Sequence, residues 1–139
     1  MVDLNFEFPK FPKLFDEFSI KPQQVEVSGE KWESSLTLQN TSTCGVLFKV
    51  KCTSNQRIEI DDCADILLPG NEISVPFRRK AGDSNARDDL MVLYCLVGKQ
   101  WMSEDASAFR CWERVKKQDV MIKRKIIKIV QKAKAEQTQ

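Results

Sequence analysis

Residues 36–51 read LTLQNTSTCGVLFKVK, and the pattern running into and out of them decides the fold. Ser34, Leu36 and Leu38 share one parity, with Glu33, Ser35, Thr37 and Gln39 on the other. A second run follows, in which Val46, Phe48, Val50 and Cys52 alternate with Leu47, Lys49, Lys51 and Thr53. Successive side chains leave opposite faces of a pleated strand, so a period of two marks a half-buried strand. Asn40, Thr41, Ser42, Thr43 and Gly45 lie between the runs. Their side chains bond nearby backbone and glycine tolerates positive φ, so the spacing predicts a turn and, with it, a β-hairpin. One face of that hairpin must be core. The other carries Lys49, Lys51 and Thr53 in a row, and is the candidate binding face.

Before this stretch, the first 18 residues hold five of the eight phenylalanines. Phe11, Leu14, Phe15 and Phe18 follow i, i+3, i+4, i+7 spacing, which predicts a short helix with one apolar stripe and Pro12 in its first turn. So short a helix needs a surface to lie on. The arm either packs on its own domain or docks on a second copy or a partner groove. Ile20-Lys21-Pro22 reads as a first strand interrupted by a residue with no ladder donor. Val25 and Val27 continue it, and Ser28-Gly29-Glu30 turn into the strand of residues 32–40.

After the stretch, residues 57–60 give a short strand and residues 61–65 a polar connection. Pro69-Gly70 suits a type II turn. Ile73, Val75 and Phe77 alternate inward on the next strand, with Pro76 outward. Residues 79–88 form a polar loop. Residues 90–97 are apolar on both faces, as in a central strand covered on both sides or one that meets a partner. Trp101 anchors the following connection, Phe109 and Trp112 suggest one helical turn, and residues 120–130 are the last strand. Residues 116–134 hold eight basic side chains and one acid, Asp119. Strand-like alternation through them favours a solvated edge strand and tail over a nucleic-acid or lipid patch.

At 139 residues, 42% hydrophobic and 30% charged, the chain is one domain's worth of ordinary globule. A net charge of +2 gives no overall basic field for nucleic acid. No apolar run approaches the roughly 20 residues of a membrane span, and the N-terminus does not read as a secretory signal. Five cysteines without a Cys-x-x-Cys pair predict free thiols in a cytoplasmic protein rather than disulfides or zinc. With no histidine, Ser-His-Asp and Cys-His catalysis are out of reach, and so is the commonest metal ligand. The carboxylate pairs Asp61-Asp62 and Asp88-Asp89 read as solvated loop ends. No phosphate-cradling glycine loop is present. No catalytic residue, cofactor or metal site is expected.

LTLQNTS followed by VLFKVKCTSNQRIEI resembles the middle of the major sperm protein (MSP) domain, through Asn40, Thr41, Ser42, Phe48, Lys49, Val50, Lys51, Thr53 and Arg57. Leu68-Pro69-Gly70 with Ile73, Val75 and Phe77 is similar to that family's next turn and strand. Phe109-Arg110, Trp112 and residues 121–125 resemble the nematode sperm proteins. The resemblance runs over about residues 20–130. It implies an all-β, immunoglobulin-like, seven-stranded antiparallel sandwich of the MSP/PapD-like kind. The expected layout is a Phe-rich arm at 1–18, the domain at 19–131 and a polar tail at 132–139.

Two roles follow from the resemblance. Nematode sperm MSP is a non-enzymatic, self-associating cytoskeletal protein, so the first expectation is a cytoplasmic structural component of, or accessory to, that cytoskeleton. Its partners would be itself as a homodimer or other MSP-family chains, with Phe11, Leu14, Phe15 and Phe18 as a self-association arm. In VAP-like proteins the domain binds an acidic-aromatic peptide, the FFAT motif. Lys49, Lys51, Thr53 and Met91 stand at matching positions, which makes an unanchored peptide-binding adaptor the alternative. Asp89 departs from that pattern, because a carboxylate replaces a lysine that would hold the peptide's acids. Paired with Lys49 and Lys51 it would close the site; turned away, it would leave the cations free for a peptide of different charge.

Overall fold

The computed structural model describes residues 2–61, 63–80 and 87–132. Among these, nine strands run in the order β1 (Phe18–Lys21), β2 (Gln24–Val27), β3 (Glu33–Asn40), β4 (Gly45–Cys52), β5 (Ile58–Ile60), β6 (Ala64–Leu67), β7 (Glu72–Arg79), β8 (Asp89–Val97) and β9 (Lys123–Gln131). A 3-10 turn (Lys99–Trp101) and one helix, α1 (Ala108–Lys116), separate β8 from β9. One sheet has four strands in the order β1-β3-β7-β5; the other has five, β2-β9-β8-β4-β6. The two face each other over Leu36, Leu38, Phe48, Val75, Phe77, Leu90, Val92 and Leu96, all fully buried.

The sandwich expected from the alternation is there. It has nine strands rather than seven, partly because Pro22 interrupts the first strand: β1 joins one sheet and β2 the other. It is not wholly antiparallel, since β2 runs parallel to β9.

The hairpin expectation fails. β3 and β4 belong to different sheets, and the residues between them form a corner. Asn40 explains the corner. Its side chain is fully buried and donates from Nδ2 to the carbonyls of Cys44 and Leu67, at 2.8 and 2.9 Å. Its Oδ1 accepts from the Ser42 amide and hydroxyl. A buried amide satisfied on all sides can bridge two sheets where no ladder continues. Turn-forming residues serve a corner as well as a hairpin, so composition alone does not separate them.

The Pro69-Gly70 turn is type II as expected: Gly70 takes φ +79° and the Asn71 amide donates to the Leu68 carbonyl at 3.1 Å. β8 is a central strand, flanked by β9 and β4. β9 is an edge only in its first half, because β2 covers Lys128 to Gln131. α1 is longer than the single turn predicted. Ser107 caps it by accepting from the Arg110 amide, and it buries Cys111 and Val115 against Leu47, Cys95 and Val97. Residues 81–86 of the expected polar loop, Asp62, and residues 133–139 of the expected tail lie outside the described residues.

The arm forms no helix. Residues 9–17 follow an irregular path, and Leu14 adopts φ +59°. The rings of Phe11 and Phe15 pack at a tilt of 59° with centroids 5.2 Å apart, Phe11 meets Tyr94 edge-on at 5.8 Å, and Phe18 meets Tyr94 at 4.7 Å. Three of the four residues of the expected stripe therefore turn inward and the fourth, Leu14, is 90% exposed. The arm's earlier half crosses Gly98, whose amide donates to the Glu7 carbonyl while the Lys99 amide donates to that of Leu4. A Cβ on Gly98 would collide with the Phe6 carbonyl oxygen, so only glycine admits the arm there. Glu7 fastens it. Its carboxylate accepts from Arg114, Trp101 Nε1 and Gln118, and the Arg114 guanidinium chiefly holds its pKa down to about 2.

Candidate protein-interaction face

The outer face of the five-stranded sheet divides into two halves. Near the Gly45 end, α1, Phe8, Trp101 and Trp112 cover it. Toward the Cys52 end it is open among the described residues. Here β4, β8 and β9 lie side by side in antiparallel register: Lys49 opposite Leu93, Lys51 opposite Met91, and Met91 opposite Ile126. The period of two that puts Val50 and Val92 in the core puts Lys49, Lys51 and Met91 on this face together. The four expected binding residues are therefore neighbours. A cavity of about 200 Å³ opens among Lys51, Cys52, Thr53, Asp89, Met91 and Ile126. Ile126 is half exposed at its rim.

Charge sets this face apart. Among the described residues, no carboxylate lies within ion-pair distance of Lys49 or Lys51, and Asp89 pairs with neither. The cationic row is free, with one acid across the cavity from it. The outer face of the other sheet differs: its Arg78 is matched by Glu33, Glu59 and Asp61.

Thr53 takes a different part from the one expected. Its hydroxyl donates to Asp88 Oδ1 at 2.8 Å and accepts from the Asp89 amide at 3.1 Å, so it builds the cavity's end. Asp88 is 4% exposed, not a solvated loop end. Arg57 grips it in a fork, Nε to Oδ2 at 3.0 Å and a terminal nitrogen to Oδ1 at 2.8 Å, and holds its carboxyl below the usual range. Sequence reading missed this network. The partners Thr53 and Arg57 lie more than 30 residues before Asp88, so no local pattern announced it.

Four of the five thiols are deactivated by burial. Burial pushes the Cys95 and Cys111 thiols up to about 12, and raises those of Cys44 and Cys52, so these stay protonated at neutral pH and make poor nucleophiles. Among the described residues, no cluster of three metal-ligating side chains occurs, and no helix is long and apolar enough to cross a membrane.

Comparison with known proteins agrees with this architecture. The structure is similar to that of WR4, an MSP family member of Caenorhabditis elegans, with TM-score 0.69 and 14% identity over 85% of this chain and 100% of that one. It is similar to SSP-19, an MSP-domain protein like family member of the same organism, with TM-score 0.64 and 18% identity over 81% and 98%. A Salmonella enterica structure of the SafA pilin in complex with the SafB chaperone matches at TM-score 0.57 and 12% identity, over 91% of this chain and 58% of that one. At these identities the likeness is one of fold. Among curated protein sequences, none matches this chain. The MSP (Major sperm protein) domain family matches residues 17–117, well over half of the 139 residues, and the chain belongs to that family.

Proposed function

We propose that this chain is a non-enzymatic interaction protein whose working surface is the open half of the five-stranded sheet. It takes an extended segment of a partner protein there. The segment's apolar side chain fills the cavity beside Met91 and Ile126, and its acids lie along Lys49 and Lys51. The observation that carries this reading is the unmatched cationic row beside an apolar cavity. Opposite charge and a side-chain pocket are what a peptide-binding sheet face needs. Five free thiols support a reducing, cytoplasmic setting.

The structural reading, a self-associating component of or accessory to a nematode sperm cytoskeleton, has its own support. Family membership favours it, and so does Leu14, an apolar side chain held out in solvent.

The test is fluorescence polarisation with a labelled synthetic peptide carrying a leucine followed by two acids. Binding should weaken at least about tenfold in Lys49→Glu/Lys51→Glu, and the charge-reversed peptide should not bind. Equal binding of both peptides by the wild type would overturn the reading.

A further inference from the structure

β9 has an unfinished edge. The Ile129 amide donates to the Asp88 carbonyl at 3.3 Å, on the β8 side, and the Lys132 amide donates to the Val27 carbonyl at 2.7 Å, on the β2 side. Amides along a strand alternate between its two neighbours, so the odd-numbered amides of β9 face β8 and the even-numbered ones face away from it. β2 takes up the far side over Lys128 to Gln131. It goes no further, because Pro22 sends the chain across to β1 in the other sheet. The amides and carbonyls of Arg124 and Ile126 therefore point sideways into a slot that, among the described residues, no backbone fills. Ile126, Arg124 and Lys125 are all exposed there.

The opposite edge of the same sheet is finished differently. On β6 the Cys63 carbonyl accepts from the Val50 amide, so the Ile66 amide faces outward, and Asp65 Oδ1 accepts from it at 2.8 Å. In the other sheet the edge strands β1 and β5 stop after four and three residues. Self-capping and shortness both discourage stray pairing. On β9 the safeguard is charge. Lys123, Arg124 and Lys125 are consecutive. Lys123 and Lys125 share the parity of the buried Ile127, while Arg124 and Ile126 lie on the outer face. Lys123 also stands over the Phe11 ring at 4.7 Å. Among the described residues, none of these three cations is in an ion pair. Their outer-face neighbours on β8 are Leu93 and Met91, both uncharged, and Asp89 stands lower, opposite Lys128, where β2 covers the edge.

Such an edge discriminates. A second copy's β9 would bring cations against cations, whereas an acidic strand meets opposite charge at three successive positions. Directly opposed residues on paired strands share a face and touch, so the edge also dictates the guest's pattern. It has acids opposite Lys123, Arg124 and Lys125 and an apolar side chain opposite Ile126.

We propose that an acidic, extended segment of a partner protein adds to β9 as a further strand, in line with β2, bonding its main chain to Arg124 and Ile126. This goes beyond the sheet-face contact proposed above. It is made by backbone at the sheet's edge and needs neither Lys49 nor Lys51.

Residue-resolved hydrogen exchange by NMR on the full chain tests it. The probes are synthetic peptides in which three glutamates adjoin two valines, made in both orders because the slot admits a parallel or an antiparallel strand. Without peptide, the Arg124 and Ile126 amides should exchange fast, and those of Lys125 and Ile127, bonded to β8, slowly. Peptide in one of the two orders should slow Arg124 and Ile126 at least about tenfold and leave Lys125 unchanged. N-methylating alternate amides of that peptide should abolish the effect in one phase and spare it in the other, since only every second guest amide reaches β9. The Lys49→Glu/Lys51→Glu variant should keep the protection. Its loss there would overturn the proposal, because the peptide would then lie on the sheet face. Unchanged exchange at Arg124 and Ile126 with both peptides up to about 1 mM would overturn it too. So would protection that rises with protein concentration alone, which would mean a second copy in the slot. None of these results touches the polarisation test of the sheet face, so the two readings fail separately.

Discussion

Leu47 and Lys51 stand four residues apart on the same side of β4, yet Leu47 is fully buried and Lys51 exposed. They belong to the two halves of one sheet face, and what differs is the cover. Over Leu47 the chain places α1, with Cys111 and Val115 turned down, and the arm's Phe8. Over Lys51 it places nothing among the described residues. A strand's alternation assigns a side chain to a face, while a remote segment decides whether that face is core. Substitutions along the two halves should therefore have very different costs, and the series below tests that contrast.

Leu47→Asp should have the largest effect. It sets a carboxylate under α1 with no cation provided, at a cost of at least about 4 kcal/mol, a large part of a typical domain's stability. Urea denaturation followed by far-UV circular dichroism should show a midpoint far below the wild type, or no cooperative transition. A cost under about 1 kcal/mol would mean that α1 does not seal this half.

Asp88→Ala comes next. It leaves the Arg57 fork without its carboxylate and removes the brace on Thr53, for about 3 kcal/mol. Because Asp88's folded pKa is lowered, its stabilisation is present above the ordinary carboxylate pKa and fades as pH falls through the lowered value. Unfolding midpoints of variant and wild type should differ at pH 7 and converge in strong acid. The covered half should be untouched, which near-UV signals from Trp101 and Trp112 would report.

How far the sequence spoke depended on the kind of interaction. Alternation alone marked β3, β4, β7 and the buried parity of Leu36, Phe48 and Phe77, because period two follows from the pleat. It also placed Lys49, Lys51 and Thr53 on one face, whereas Met91 was singled out only through the resemblance to the MSP domain. Leu47 was read with the lysines, and its face was right. Its burial was not legible, since α1 lies more than 60 residues further on. Helical spacing of Phe11, Leu14, Phe15 and Phe18 misled for a related reason. The spacing fits a stripe, but the aromatic rings found Tyr94 and left the leucine outside. Glu7 went unnoticed as one acid among phenylalanines, because its three donors come from distant segments.

Glu7→Gln should act at the boundary between the halves, where the arm is fastened. Its folded pKa of about 2 lies below the ordinary 4.5, so its contribution is full above about 4.5 and is lost as pH falls toward about 2. Arg114's side chain is 52% exposed and water screens the pair, so the cost at pH 7 is about 1 kcal/mol rather than the full shift. Urea midpoints should differ at pH 7 and coincide near pH 2, with Trp101 fluorescence reporting release of the arm. A difference unchanged at low pH would mean that the glutamine harms packing, not charge.

Lys51→Ala should have the smallest effect on stability and makes the comparison sharpest. The side chain is exposed and, among the described residues, in no ion pair, so its loss should change the unfolding free energy by no more than about 0.5 kcal/mol. A four-residue step along β4 would then take the cost from several kcal/mol to nearly nothing, and cover would be the reason. Binding of the acid-bearing peptide probe should still weaken by about threefold to tenfold, because a cation flanking the cavity is gone. A stability loss above about 1 kcal/mol without any change in binding would reverse the assignment, making Lys51 a structural side chain whose aliphatic stem completes the cover over Met91.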